Sequence, residues 1–426
     1  MHRLLKRRNA KRHHNTILVS LILSIPTAIV SLSMKISTDK KKIDELLSRG
    51  VESVIDKNHL KKRLESGEKL RIKLGIDPTS PSLHLGRSIP LLKMRDFQEL
   101  GHQLVFIVGD FTGIIGDTSD KDAERPMLER EQVKRNMKSY VEQAGKIIDI
   151  KKAEVHYNSK WLGKLTYAEL GEQANQFSVA EFIARDNIRR RLDAGTRVSL
   201  REMLYPLMQG YDSVAVKADV ELGGTDQRFN LLAGRTLQAS YKQEPQDIIM
   251  NPLVAGTDGR KMSSSWGNTV NLTDTPNDMF GKIMSIPDDL IIPYFTYMTR
   301  VSMETISEYT KEMKKGGNPR DFKVKLGVEL VRFYHGEKEA AKAEEYFSAT
   351  FVKKETPKDI SSLKPSKYDI VTVLREARFA TSTSDARRTI DGGGVKINDK
   401  KVTSYEELCS SGDIVQKGKR FFVKIV

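Results

Sequence analysis

The sequence predicts an α/β protein: a parallel-sheet domain, continued by a helical region and ended by a small α+β domain. Residues 70 to 109 run apolar strand, turn, helix, apolar strand. A second stretch of the same alternating character reaches about residue 271. There the chain changes to helix formers and charge, followed by a proline-marked linker and a basic end. Of the 426 residues, 38% are hydrophobic and 30% charged, which excludes a disordered chain and a multi-span membrane protein. At roughly 150 residues per domain this length suggests about three domains.

The first 33 residues differ from the rest. Arg3, Lys6, Arg7, Arg8, Lys11 and Arg12 precede an apolar run from Ile17 to Leu32, the layout of a signal peptide or a single anchor. That run contains Pro26 and falls short of the ~20 residues a spanning helix needs. Met34 follows directly, with a polar, helix-like start behind it. Two readings stand: an export signal, or upstream sequence taken in by too early a start codon. Without those six cations the net charge falls from +15 to +9, so the chain stays basic and suits a polyanionic partner such as nucleic acid. A single cysteine, Cys409, leaves no intrachain disulfide and fits a reducing compartment.

From Leu70, LRIKLGI has the length and apolar content of a strand, and DPTSPS supplies turn chemistry with two prolines and an Asp. LHLGRSIPLLKMRDFQELG then sets Leu85, Ile89, Leu92, Phe97 and Leu100 at near-helical spacing and stops at Gly101. QLVFIVGD is a continuous apolar run, as a buried parallel strand requires. The result is a βαβ unit of a Rossmann-like sheet, with its ligand site expected at the carboxyl ends of the strands. Neither GxGxxG nor a Walker A lysine occupies the turn. His84-Leu85-Gly86-Arg87 stands there instead. A His and an Arg three apart at a helix start share a face where phosphate is already favoured, and Gly86 admits close approach. Taken alone, the tetrapeptide reads more readily as a polar helix start with no ligand, since short motifs match by accident. Further on, Tyr205, Gln209 and Asp212 fall at i, i+4 and i+7 on one helix face, and Gly223-Gly224-Thr225-Asp226-Gln227 pairs two glycines with polar side chains. GRKMSSSWGN at 259 to 268 carries Lys261, Ser263 and Ser264 in a polar loop.

HLGR and KMSSS, in this order around the α/β segments, resemble the HIGH and KMSKS signatures of class I aminoacyl-tRNA synthetases. With YPLMQGYDS and ELGGTDQRFN between them, the chain from about Lys42 to its end looks like the tyrosyl-tRNA synthetases. The resemblance implies that Tyr205, Gln209 and Asp117 bind the substrate's α-amino group, that Asp212 accepts the phenol hydrogen bond, and that Gln227 sits by the carboxylate. It implies that Asp226 binds the ribose, that Gly224 makes room for the nucleotide, and that Asp77 and Thr79 belong to the tyrosine and ATP sites. His84, Gly86, Arg87, Lys121, Lys261, Ser263 and Ser264 would handle the ATP phosphates, with His84, Arg87, Lys121 and Lys261 as catalytic charges. Many bacterial members carry a tyrosine just upstream of the GxDPT turn where this chain has Lys73 and Leu74, an arrangement like that of a second branch; phenol recognition then rests more heavily on Asp212. The KMSKS loop has Ser264 in place of its second lysine, and the last position of the other motif, commonly His, is Arg87. The helix cation is expected to supply part of what the loop lacks.

In domain terms this gives an extension over 1–33, a catalytic domain over 34–271, a helical anticodon-binding domain over 272–350, a linker over 351–366 and an α+β domain over 367–426. The last carries SDARRTIDGGGVKIND, where Ser384 is expected to cap a helix presenting Arg387 and Arg388, with Lys396 on the strand that follows. It resembles the S4-type RNA-binding domain that ends many bacterial tyrosyl enzymes. The implied activity is activation of L-tyrosine by ATP with Mg2+ as the substrate complex, then transfer to tRNA(Tyr), by a cytoplasmic homodimer with no permanent cofactor, no protein metal site and no membrane association. An acylation reaction on cytoplasmic tRNA favours Met34 as the start. A tryptophan–tRNA ligase, which ordinarily lacks the terminal domain, and a catalytically silent synthetase-like RNA binder remain as alternatives.

Overall fold

The computed structural model describes residues 36–119, 123–352, 360–418 and 421–426. The 1–33 extension, Lys121 and residues 353–359 of the expected linker therefore lie outside the described residues.

A six-stranded sheet forms the centre, from β1 (Ser53–Ile55), β2 (Arg71–Ile76), β3 (Gln103–Val108), β4 (Glu154–Tyr157), β5 (Val220–Gly224) and β6 (Asp247–Asn251), in the order β1-β6-β5-β2-β3-β4. Every pairing is parallel except β1 with β6. β2 and β3 pair residue for residue from Arg71 with Gln103 to Ile76 with Val108. The helix Leu85–Glu99 between them buries Leu85, Ile89, Leu92 and Phe97, so the expected βαβ unit is present. Because the chain continues from β2 to β3 and β4 on one side and returns to place β5 and β6 on the other, the order reverses between β2 and β5. A ligand crevice opens beyond the carboxyl ends of strands at such a point.

The helix Leu200–Val216 carries the expected Tyr205, Gln209 and Asp212 face. Its first turn is closed by a capping box, in which Ser199 accepts from the Arg201 backbone and the Glu202 carboxylate accepts from Ser199 N at 2.9 Å. Lys217 ends it in the left-handed conformation.

The helical region does not have a core of its own. Phe280, Ile283, Tyr294, Phe322, Leu326 and Ala343 are buried in one continuous cluster with Ile72, Leu85, Ile89 and Phe97 of the sheet layer. Polar ties cross the same boundary: Arg49 Nε donates to Thr296 O at 3.0 Å and Tyr294 OH to Ala255 O at 2.6 Å.

A separate apolar cluster of Ile370, Val373, Leu374, Ile390, Val395, Val415 and Val423 centres the C-terminal domain. Its sheet orders β7 (Ser361–Leu363), β11 (Phe421–Ile425), β10 (Ile414–Lys417), β8 (Val395–Ile397) and β9 (Lys400–Lys401). Two sequence expectations need correction. Residues 361–363, assigned to the linker, form an edge strand parallel to β11, since Ser361-Ser362-Leu363 offers backbone to an otherwise open edge and packs Leu363 on the core. Ser382, not Ser384, caps the helix Thr383–Asp391 by accepting from Asp385 N; Ser384 is one of the helical residues, and a cap must stand outside the first helical position.

Candidate functional site

One cavity of about 730 Å³ opens at the reversal point. Its walls are the ends of successive strands: Asp77 and Thr79 after β2, Gly109 and Thr112 after β3, Asn158 after β4, Gly223, Gly224, Asp226 and Gln227 at the end of β5, and Asn251 to Val254 at the end of β6. The HLGR helix start and the KMSSS loop close the opposite side with His84, Gly86, Arg87, Lys261, Ser263 and Ser264. Asp117, Tyr205, Gln209 and Asp212 line it as well. Among the described residues, every position expected to contact tyrosine or ATP therefore borders a single space.

One end of that space is acidic and buried. Tyr205 OH donates to Asp77 Oδ2 at 2.9 Å, Thr112 Oγ1 donates to Asp77 Oδ1 at 2.7 Å, and Gln227 Nε2 donates to Asp117 Oδ2 at 2.7 Å. Burial pushes the Asp77 carboxyl up to about 6 against the pull of its two hydroxyl donors, and the Tyr205 phenol well above its ordinary range. Asn230 joins the face by donating to the side-chain oxygens of Gln209 and Gln227, each at 3.1 Å. Two carboxylates and an amide oxygen converging in low dielectric make a receptor for an ammonium group.

Deeper, Asp212 is 4% exposed. Trp161 Nε1 donates to its Oδ1 at 2.7 Å and Asn158 Nδ2 to its Oδ2 at 3.2 Å. Burial raises its carboxyl to about 7, with Lys73 and these two donors opposing the shift. No sequence signal marked Asn158, Trp161 or Thr112. They follow strand ends about 50 and 100 residues before Asp212 and carry no local motif, so only the sheet order brings them to it. Gly109 and Gly224 could have been flagged as close-approach glycines: a Cβ at Gly109 would overlap Asp77 and Thr112, and one at Gly224 would overlap Asp226 Oδ1.

At the other end the two signature motifs touch. Gly86 N donates to Met262 Sδ at 3.2 Å, and a Cβ on Gly86 would stand 3.0 Å from His84 Nδ1. His84, expected as a charge, is neutral in this structure. Burial above all, then the nearby Arg87 and Lys261 cations, drop it to about 3, and its Nδ1 has no hydrogen-bond partner among the described residues. Arg87 turns back onto the DPT turn, donating from Nη1 to Asp77 O at 3.0 Å and from Nη2 to Thr79 Oγ1 at 3.3 Å. Lys261 Nζ lies 3.1 Å from Asp226 Oδ2. Asn268 ties the KMSSS loop together: its Oδ1 accepts from Ser263 N at 2.8 Å, and its Nδ2 donates to Asp258 Oδ1 at 2.7 Å and Lys261 O at 3.0 Å.

Arg387, Arg388 and Lys396 are exposed on the C-terminal domain, with the Arg387 guanidinium 5.4 Å from the Tyr405 ring centre.

A parallel α/β sheet with its crevice at the reversal point and the HLGR and KMSSS elements facing across it defines a class I aminoacyl-tRNA synthetase. The family model for class I tRNA synthetases (W and Y) matches residues 64–352, and the S4 domain model matches residues 370–415. The chain is 45% identical over 386 residues to the tyrosine–tRNA ligase of Thermotoga maritima, covering 89% of this chain and 96% of that one. It is also 45% identical over 398 residues to that of Carboxydothermus hydrogenoformans, covering 90% and 97%. The chain belongs to the tyrosine–tRNA ligase family. Among solved structures, the Archaeoglobus fulgidus tyrosyl-tRNA synthetase complexed with L-tyrosine shares the fold, with TM-score 0.58 at 22% identity over 71% of this chain and 99% of that one. A C-terminally truncated mitochondrial tyrosyl-tRNA synthetase of Aspergillus nidulans does so with TM-score 0.61 at 21% identity, covering 73% and 94%.

Proposed function

We propose that this tyrosine–tRNA ligase binds tyrosine between the Asp77, Asp117, Tyr205 and Gln209 face and Asp212, and ATP between the two signature motifs. The ammonium sits among the carboxylates, the phenol reaches Asp212, and Gln227 lies by the substrate carboxylate. Thr79, Gly86, Gly224, Asp226, Ser263 and Ser264 take the nucleotide. A carboxylate oxygen of tyrosine attacks the α-phosphorus, and pyrophosphate leaves with the electron pair of the broken P–O bond. A hydroxyl of the terminal ribose of tRNA(Tyr) then attacks the tyrosyl carbonyl and releases AMP. Neither step forms a covalent enzyme intermediate. Catalysis is positioning plus stabilisation of charge building on the phosphates, supplied by Arg87, Lys261 and Lys121, with neutral His84 contributing a hydrogen bond. Magnesium enters with ATP, and the protein holds no permanent cofactor.

The observation that carries this reading is the single cavity joining an ammonium receptor, a buried phenol acceptor and the two phosphate-handling motifs. A substrate lacking the phenol oxygen leaves Asp212 without its partner. Sites built on such a buried polar group reject the analogue by up to about five orders of magnitude, a figure that comes from a tyrosyl-tRNA synthetase itself and not from the geometry of this cavity. Pyrophosphate exchange with a panel of amino acids tests the reading: tyrosine-dependent exchange is expected, tryptophan-dependent exchange would reassign the substrate, and exchange with none would make the chain an RNA binder alone.

Arg387, Arg388 and Lys396 contact tRNA phosphates, helices within 272–350 face the anticodon arm, and the enzyme works as a cytoplasmic homodimer. Support for the dimer is the exposure of apolar side chains along the 160–200 segment, among them Tyr167 at 94% and Leu200 at 83%. Among the described residues no helix is long and apolar enough to cross a membrane.

A further inference from the structure

Lys73 stands on β2 behind the cavity wall formed by Gln209, Asp212 and Glu221, where its side chain is wholly buried. An ammonium has three N–H donors, and here each has an acceptor: Gln209 O at 2.9 Å, Ser213 Oγ at 2.7 Å and Glu221 Oε1 at 2.8 Å. Glu221, on β5 and 1% exposed, also accepts from Ser213 Oγ at 3.0 Å, from Gln246 Nε2 and, at 3.4 Å, from Gln209 Nε2. Gly234 leaves space for this group, since a Cβ there would press on Gln246, Ser213 and Glu221. Burying such a pair is costly, and well-packed apolar residues of the same volume would stabilise the fold at least as well. The placement of the pair suggests another role. Gln209 and Ser213 flank Asp212 on the Leu200–Val216 helix, so Lys73 grips the segment that bears the phenol acceptor.

The field at Asp212 points the same way. The groups facing it are Trp161 and Asn158 after β4, Thr112 behind Asn158, Asp77 after β2, Asp117 beyond β3, Tyr205 on its own helix, Glu221 on β5 and Lys73. His156 lies edge-on to Trp161 at 5.9 Å and is bonded to Glu154. Of the charged groups among these acting on Asp212, Lys73 is the cation that favours its ionised form, and Glu221 opposes it more weakly.

We propose that Lys73 is a positioning and specificity residue for tyrosine, orienting the Gln209–Ser213 turn and holding Asp212 as the carboxylate that accepts the substrate phenol, with Glu221 as the counter-ion that keeps the ammonium in place. The inference rests on the tyrosine–tRNA ligase reading of the same site. It gives phenol recognition a buried cation in the segment just upstream of the GxDPT turn, where many bacterial members carry a tyrosine.

The test is equilibrium dialysis of L-tyrosine and L-phenylalanine against the full chain from about pH 5.5 to about pH 9, in the wild type, Lys73→Met/Glu221→Gln, Glu221→Gln and Lys73→Arg. The double variant removes both charges, so neither is stranded. In it the acid midpoint for tyrosine binding rises by about one unit, tyrosine binds roughly fivefold more weakly near pH 7 and about tenfold more weakly near pH 5.5, recovers toward pH 9, and phenylalanine binding changes little. Glu221→Gln alone moves the midpoint down, which keeps the proposal open to refutation if the double variant fails to fold. Lys73→Arg keeps the wild-type midpoint. Equal weakening of tyrosine and phenylalanine with an unmoved midpoint in both charge variants would overturn the proposal and leave Lys73 a packing residue. Failure of the wild type itself to bind tyrosine would instead overturn the assignment of the substrate.

Discussion

Replacing Asp212 by Asn separates what this residue does for tyrosine from what it costs the fold. The carboxyl is buried, and its pKa stands at about 7 against an ordinary 3.8. A carboxyl raised in the folded state binds its proton more tightly there than in the unfolded chain. Stability is therefore highest below the unfolded value and is lost progressively as pH rises from about 4 through about 7. At 1.36 kcal/mol per unit, the ionised form costs the empty enzyme on the order of 4 kcal/mol above that range. Asparagine keeps an oxygen for the Trp161 N–H and carries no charge to desolvate; its amide nitrogen then faces the Asn158 amide donor, a cost of about 1 to 3 kcal/mol that leaves the balance favourable. Asp212→Asn is thus expected to melt higher than the wild type at about pH 8, with the gap closing toward pH 4. It also loses the charged hydrogen bond to the phenol, worth about 1.5 to 3 kcal/mol, so tyrosine kcat/KM in pyrophosphate exchange drops roughly 10- to 150-fold. Calorimetric melts across pH, run beside exchange kinetics, measure both. A variant that melts lower than the wild type at pH 8 would refute the reasoning, because the carboxylate would then be a net stabiliser.

The phosphate end invites a double-mutant cycle. Arg87→His is expected to slow activation by roughly 10- to 150-fold, and adding Ser264→Lys to recover most of it; additive effects in exchange kinetics would show that helix and loop do not share the charge. Asn268→Ala removes the side chain that holds Ser263, Lys261 and Asp258 together, and should lower kcat about tenfold or more with little change in the KM for tyrosine, read from the same assay. In the C-terminal domain, Arg387→Ala/Arg388→Ala should weaken tRNA binding and reduce its salt slope by about two, while tyrosine-dependent exchange stays at the wild-type rate; filter binding across a salt series reads the first quantity.

Much of the site was legible because its chemistry is written in short, local patterns. HLGR falls at a helix start, KMSSS in one loop, and Tyr205, Gln209 and Asp212 one or two helical turns apart, so spacing alone put each set on a face. Side chains assembled only by the sheet order were not legible. Asn158 and Trp161 leave β4 and bond Asp212, and Thr112, which follows β3, stands behind Asn158, because β2, β3 and β4 are adjacent and parallel. Protonation was hidden for a related reason: a histidine beside an arginine reads as two cations in sequence, whereas in the folded chain the buried one gives up its proton. At the C-terminal end, the sequence points to Ser384 as the cap, and only the backbone turn shows that Ser382 holds it.

The continuous core shared by the sheet and the helices after residue 272 bears on how such an enzyme could have been put together. If the chain stopped at 271, the helix Leu85–Glu99 would lose the helix Ile291–Met298 that packs against it, and that part of the shared core would lie bare. A catalytic half without these helices would present that apolar surface to water. Any shorter forerunner must have shielded the same apolar surface with other residues, and a minimal enzyme cut from this chain would have to redesign that surface before it could be soluble.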